Sequence, residues 1–557
     1  MKKLYVIIVT LMLTIAAMGQ SLSVRTGDVT YLFPAEKAGD MIFANGNEVT
    51  IMGKTFVLSA IETMTVDQST VKDNAVSITY SGTTATVAIA GNVAPYVTAT
   101  VNGAHVSIEQ TNTDAVDGDE ITYTLSGETT NGSFSLSGSY KCTLALAGLT
   151  MTNPSGAAIN IDNSKRVQIS AKKNSENTLT DGSIGSLKRC IYSKGQIQLQ
   201  GNGTLNVKGN TKHAIKSGDY ISIKNLTLNI TKAVKDGISC NEYFLMESGT
   251  VTISGVGDEG IQCELDGTTS TGATTDHEDE DSGNIYIEGG SLSVASTKGE
   301  GIESKGELMI SGGSVTVNAK DDAINAASHL TISGGTVYAC STGNDGIDAN
   351  GNCYIKGGLI FAIGARQPEV AIDANTERNF KLYVEGGTII AIGGLERGSS
   401  LTQSCYQTSS WSTNKWYALT IGDETIAFKT PSSGGNGLVV SASTQPTLKQ
   451  NVTVGDGTSV FGGNGYTNAT VSGGTTVTLS NYSGEGGGPG GGRRAGTAQA
   501  HTGRPGGGVR RVPHLPRGAR ARRQLRLLHP APPHALGGIF ALCRGDQEGG
   551  AGKPLHR

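Results

Sequence analysis

The chain has 557 residues, of which 79 are Gly, about twice the usual share. Only 5% are aromatic and 17% charged, and a long helical architecture is excluded, since each Gly in a helix interior costs about 1 kcal/mol. The net charge of −4 joins two unlike parts: from residue 493 onward 12 Arg and 1 Lys meet 2 acidic residues, a net +11, while the residues before carry 31 basic and 46 acidic groups, a net −15. No Gly-X-Y period exists, which excludes collagen. Regular Val/Ile/Leu spacing over hundreds of residues excludes disorder throughout.

Met1, Lys2 and Lys3 precede an apolar run over 4–17 and a small-x-small site at Ala17-Met18-Gly19. This reads as a signal peptide over 1–19 with Gln20 as the mature start, and as export from a bacterium to the medium, cell surface or periplasm. The run is short for a membrane span, and no later stretch reaches 18 apolar residues. Residues 20–124 alternate as short strands, for example Val76-x-Ile78-x-Tyr80 and Val106-x-Ile108, and read as a small β-domain or spacer.

A repeat follows. Ile191, Ile215, Ile238, Ile261, Ile302, Ile324, Ile347 and Ile372 each follow a small residue, mostly about 23 residues apart. The one long interval holds a polar insert near 265–283 with the run Asp276-His277-Glu278-Asp279-Glu280-Asp281. Gly289-Gly290, Gly312-Gly313, Gly334-Gly335, Gly357-Gly358 and Gly386-Gly387 keep the same register between alternating runs such as Leu308-x-Ile310 and Val315-x-Val317. Period-2 alternation means strand, and paired Gly permits a tight corner. Three short strands in about 23 residues predict an all-β, right-handed parallel β-helix over 125–395. A β-sandwich would not keep one register across eight units. Two residues after each isoleucine stand Ser193, Ser217, Cys240, Cys263, Ser304, Ala326, Ala349 and Ala374, all small, as a crowded interior column requires. Cys240 and Cys263 are neighbours there, as a disulfide or as two buried thiols.

Two residues before the isoleucines stand Arg189, His213, Asp236, Glu259, Glu300, Asp322, Asp345 and Val370; one residue after stand Tyr192, Lys216, Ser239, Gln262, Glu303, Asn325, Asp348 and Asp373. These side chains are expected to point outward as an acidic edge. Carboxylates about 5 Å apart repel by roughly 3 kcal/mol at an effective dielectric near 20. Oxygen ligands without Cys or His suit calcium, so Asp236, Glu259, Glu300, Glu303, Asp322, Asp345, Asp348 and Asp373 are the candidate metal ligands. A solvated acidic face that keeps the fold soluble is the alternative.

The Asp/Glu-Gly-Ile-Asp/Glu turns, the Ile-x-Gly-Gly-x-Val-x-Val strands and the stretch Leu144-Ala145-Leu146-x-Gly148-Leu149 resemble a secreted bacterial carbohydrate-binding domain family with a pectate-lyase-like right-handed β-helix. The resemblance covers about 125–395. It implies binding of plant-type or acidic polysaccharide, with calcium at the acidic turns. A calcium-dependent lyase would need a base, and Arg189, Arg366, Arg378, Lys305 and Lys320 form no recurring constellation. The reading is therefore non-catalytic binding of polysaccharide by a monomer, not of nucleic acid. A lyase and a structural or adhesive protein are the alternatives.

The only two Trp, Trp411 and Trp416, lie with Tyr417 just past the last regular unit. They are the candidate sugar-stacking platform; the competing reading is a cap that seals the core, within C-terminal strands spanning 396–483. Residues 484–492 are nearly all Gly. The Arg/Pro-rich tail to 557 reads as a basic, anion-binding segment or as translation of a wrong frame.

Overall fold

The computed structural model describes residues 20–69, 72–182, 188–265 and 282–484. The expected signal peptide, the run 276–281 and the tail lie outside the described residues. Among the described residues the chain is all-β, with short 3₁₀ turns and no α-helix.

Three long parallel ladders organise it, an arrangement compatible with a β-helix. One runs through Ile197–Gly201, Ile221–Lys224, Tyr243–Met246, Asn284–Ile287, Leu308–Ile310, Leu330–Ile332, Cys353–Ile355 and Leu382–Val384. A second runs from Thr204–Gly209 through Ser291–Ser296 and Ser314–Ala319 to Thr388–Ile392. The third carries the aligned isoleucines. The chain visits the third, first and second ladders in turn, then returns to the third. Each aligned isoleucine from Ile191 to Ile372 is the parallel partner of the next. Parallel neighbours need a long connection, and here one full circuit of chain provides it.

The corners follow from Gly. In each Gly-Gly pair the second residue takes a positive φ, between +79° and +89° from Gly290 to Gly387. These corners stack backbone on backbone: a Cβ on Gly335 would come within 2.8 Å of the Gly312 carbonyl. The small column, from Ser193 to Ala374, is buried throughout. Cys240 and Cys263 are register partners and both are free, buried thiols. Ser217 and Ser304 satisfy their hydroxyls on the backbone of the preceding turn, donating to Gly195 O at 2.8 Å and Gly283 O at 2.7 Å.

The N-terminal boundary differs from the sequence expectation. The parallel stack begins before residue 125: Ala75–Ser81 pairs in parallel with Ile121–Thr129, and Ala104–Gln110 with Gly132–Gly138. Most strands of the 20–124 segment are thus hydrogen-bonded into the sheets of the ladders, while Ile42–Ala44, Glu48–Ile51 and Lys54–Val57 form a separate three-stranded sheet; Val76, Ile78 and Tyr80 offer the core the same alternating inward residues. At the other end, Leu438–Ser441 pairs antiparallel with Thr388–Ile392 and closes that edge. The remaining C-terminal strands, from Trp416–Ile421 to Val471–Val477, form a six-stranded antiparallel sheet. That sheet covers the outer side of the second ladder: Tyr338, Phe361, Ile363, Ile390 and Ile392 share an apolar cluster with Leu419, Phe428 and Phe461.

Candidate functional site

The acidic residues lie at the corner where the second ladder passes into the third. The N–H of the residue after each one donates to the backbone carbonyl of the next: Gly237 to Glu259, Gly260 to Glu300, Gly301 to Asp322 and Ala323 to Asp345. Asp236, Glu259, Glu300, Asp322 and Asp345 therefore occupy successive rungs. Glu303 and Asp348 stand one strand position past the isoleucine, with Asn325 between them in register, and Asp373 holds the equivalent place beside Ile372.

The alternative of a solvated acidic face does not fit the burial of these residues. Asp236 is 0% exposed, Asp322 4%, Asp345 7%, and Glu259 and Glu303 8% each. The physical reason is the corner itself: these side chains lie against the backbone of the adjacent rungs. The Oδ1 atoms of Asp322 and Asp345 accept N–H bonds from Asp345 and Val370 respectively. Burial disfavours the charged form, so the carboxyls of Asp236, Glu259, Asp322 and Asp345 hold protons more tightly than usual.

Two groups of three carboxylates converge, each with oxygens within 4.8 Å of one another: Asp236, Asp258 and Glu259, and Asp345, Asp348 and Asp373. They differ in charge compensation. In the first, Lys235 Nζ lies 3.0 Å from Asp236, 3.3 Å from Glu259 and 3.6 Å from Asp258, and His213 Nδ1 lies 2.9 Å from Asp236. Burial would lower the Lys235 pKa, but Asp236 and Glu259 outweigh it and hold the ammonium charged. Burial and the hydrogen bond with Asp236 push Glu259 up to about 7.

The second group has no Lys or Arg in ion-pair range among the described residues. Asn325 Nδ2 bridges Asp322 and Asp348, 3.0 Å from each. Burial first, then neighbouring carboxylates, push Asp345 up to about 7 and Asp373, which also hydrogen-bonds Glu396, to about 10; Asp348 reaches about 6. Asp322 is raised well above the ordinary carboxylate range by burial and by Asp348 and Asp345. Between the groups, Glu300 is raised to about 7, and Glu303 pairs with Lys305 while accepting from Gln262 Nε2 at 2.8 Å. The eight expected ligands thus divide. Asp345, Asp348 and Asp373 come together uncompensated; Asp236 and Glu259 share a lysine; Glu300, Glu303 and Asp322 fall outside both convergent groups. Asp258 joins the first group unforeseen, because a one-residue offset hid it from the column that carries the other acids.

Trp411, Trp416 and Tyr417 do not form one platform. Tyr417 is fully buried in the apolar cluster between the C-terminal sheet and the second ladder, its hydroxyl donating to Gln450 Oε1 at 3.0 Å, so its ring cannot stack on a sugar. Trp411 is half-buried against the same cluster and donates from Nε1 to Gly435 O at 2.9 Å. Trp416 is half-buried beside Tyr466, ring centroids 5.6 Å apart. A different aromatic pair stands on the outer side of the first ladder: Tyr354 and Tyr383 are register partners, half-buried, and stacked at 4.9 Å and 12°. The Gly-Gly register would have paired them, since they stand three residues before Gly357 and Gly386.

The sequence model of a carbohydrate-binding domain family, described as "Carbohydrate-binding domain-containing protein", matches residues 102–299 and 281–482. A carbohydrate-binding domain-containing protein of Acetivibrio thermocellus is 27% identical over 136 residues, covering 21% of this chain and 48% of that one. The chain thus spans about half the length of that curated relative. A solved polysaccharide lyase-like protein from C. thermocellum, a gadolinium derivative, aligns with a TM-score of 0.34 at 21% identity over 51% of this chain and 93% of its own.

Proposed function

The chain belongs to the carbohydrate-binding domain family, and from that premise we propose that it is an exported, monomeric, non-catalytic binder of acidic or plant-type polysaccharide that uses calcium. Its three ladders read as a right-handed parallel β-helix of about 23 residues per circuit, judged by the seven consecutive isoleucine pairings. The observation that carries the calcium reading is the convergence of Asp345, Asp348 and Asp373 within 4.8 Å with no Lys or Arg in ion-pair range among the described residues. An all-oxygen donor set of this kind fits Ca²⁺, which takes six to eight oxygen ligands, more than three side chains fill. Bound there, the ion would supply open positions for oxygens of an acidic sugar. Asp345 and Asp373 would hold it on neighbouring rungs and Asn325 would orient Asp348. The Asp236 group is the poorer fit, since Lys235 already occupies the place between its carboxylates.

The test is binding of polygalacturonate to the full chain with calcium and with chelator. Calcium is expected to tighten binding, and D345N/D348N/D373N to remove that gain. Equal binding with and without calcium, unchanged in the triple variant, would discard the calcium reading.

A further inference from the structure

The edge that is acidic near Asp345 is basic at its other end. Three residues before the aligned isoleucines stand Lys188, Lys212 and Lys235. The His213 N–H donates to the Lys188 carbonyl at 3.3 Å and the Lys235 N–H to the Lys212 carbonyl at 2.8 Å, which sets the lysines on successive rungs. Arg189 and His213 are register partners, as are Tyr192 and Lys216. Lys188, Arg189, Lys212 and Lys216 are thereby gathered on two rungs about 5 Å apart. Lys188 and Lys212 are exposed; Arg189 and Lys216 are half-buried.

These four cations differ from Lys235 in having no carboxylate in ion-pair range among the described residues. Lys216 is held by neutral groups, Asn241 Oδ1 at 2.6 Å and Ser239 Oγ at 3.3 Å. The Arg189 guanidinium lies 3.8 Å from the centre of the Tyr192 ring, and its buried Nε has no hydrogen-bond partner. Stacking on the ring sets the plane of the guanidinium, and the N–H donors of a guanidinium match the two oxygens of a carboxylate. His213 sits beneath this group.

We propose that Lys188, Arg189, Lys212 and Lys216 form a binding site for the anionic groups of an acidic polysaccharide, acting directly and without calcium. A concentration of one sign of charge with no carboxylate in ion-pair range among the described residues attracts counter-charge from solvent. A glycan lying along the edge would meet cations at this end and carboxylates some six rungs away. The inference rests on the polysaccharide-binding reading and adds a second, independent site to it.

Binding of polygalacturonate and of dextran sulfate to the full chain in chelator tests it, the tighter of the two identifying carboxylate or sulfate as the anion. The wild type is expected to bind in chelator and to weaken steeply from about 0.05 to about 0.5 M NaCl. K188E/K212E is expected to weaken it about tenfold or more with an unchanged melting temperature, since both side chains are exposed. R189Q should weaken it without altering net charge as strongly. K356E/K381E makes the same charge change at exposed positions elsewhere and should leave binding intact. Binding with calcium but none with chelator overturns this inference and leaves the calcium reading standing; so does equal binding by K188E/K212E and wild type, or equal weakening by both double variants. No polysaccharide binding with calcium or chelator overturns both.

Discussion

At Gly301 the Asp/Glu-Gly-Ile turn shows why its middle residue is small. A Cβ there would lie 2.0 Å from Val317 Cγ1 and 2.6 Å from the Ala323 carbonyl oxygen. Neighbouring rungs accept Ala214, Ala323 and Ala371 at the same place, so the restriction belongs to the local valine rather than to the corner as such. Gly301→Ala is expected to destabilise the chain by about 1–3 kcal/mol through overpacking, read by chemical denaturation. The double variant with Val317→Ala should recover part of the loss; no cost in the single variant would remove the packing explanation. The same scale explains why the charges of the edge were misjudged from sequence. Alternation indicates which residues follow an inward isoleucine, but Asp322 and Asp345 sit at a corner, where the neighbouring rung supplies N–H donors and excludes water.

Along the third ladder and its corner, raised carboxyl pKa values make stability depend on pH in a defined direction. Asp345, Glu259 and Glu300 reach about 7 and Asp348 about 6, against about 4 in an unfolded chain. The folded chain therefore binds more protons than the unfolded chain between about pH 4 and 7, and its stability falls as pH rises through that window. The melting temperature in chelator is expected to drop from pH 5 to pH 8, and calcium is expected to restore it at pH 8 by replacing the protons among Asp345, Asp348 and Asp373. A melting temperature that is flat with pH, or that rises, would contradict these burial shifts. In the Asp236 group Lys235 already holds a positive charge, so D345N/D348N/D373N should abolish the calcium effect while leaving that group as it is.

Across the chain as a whole, the C-terminal sheet is joined to the ladders by side chains rather than stacked as another unit. The strands Thr336–Ser341, Leu359–Ile363 and Thr388–Ile392 are apolar on both faces, unlike the alternating Ser314–Ala319, and a strand apolar on both faces is covered on both. That loss of alternation was the readable sign of a covering layer. Phe361 is fully buried at its centre, with ring contacts to Tyr338, Phe428 and Phe461. Phe361→Ala is expected to cost about 3–5 kcal/mol and to increase proteolysis of the 416–477 strands before the ladders. Simultaneous loss of both would show that the two layers unfold as one.

Local periodicity was enough to reveal the stacking register, the Gly-Gly corners and the small interior column. Each is set by residues of one kind (isoleucine, glycine or small side chains) recurring where the same backbone geometry recurs. The partners of the charges needed the folded chain. Lys235 meets Asp236 and Glu259, Asp373 meets Asp345 and Asp348, and Tyr417 is sealed under the second ladder. These outcomes depend on side chains brought together from different rungs and layers, and on the water excluded between them, which no linear spacing records.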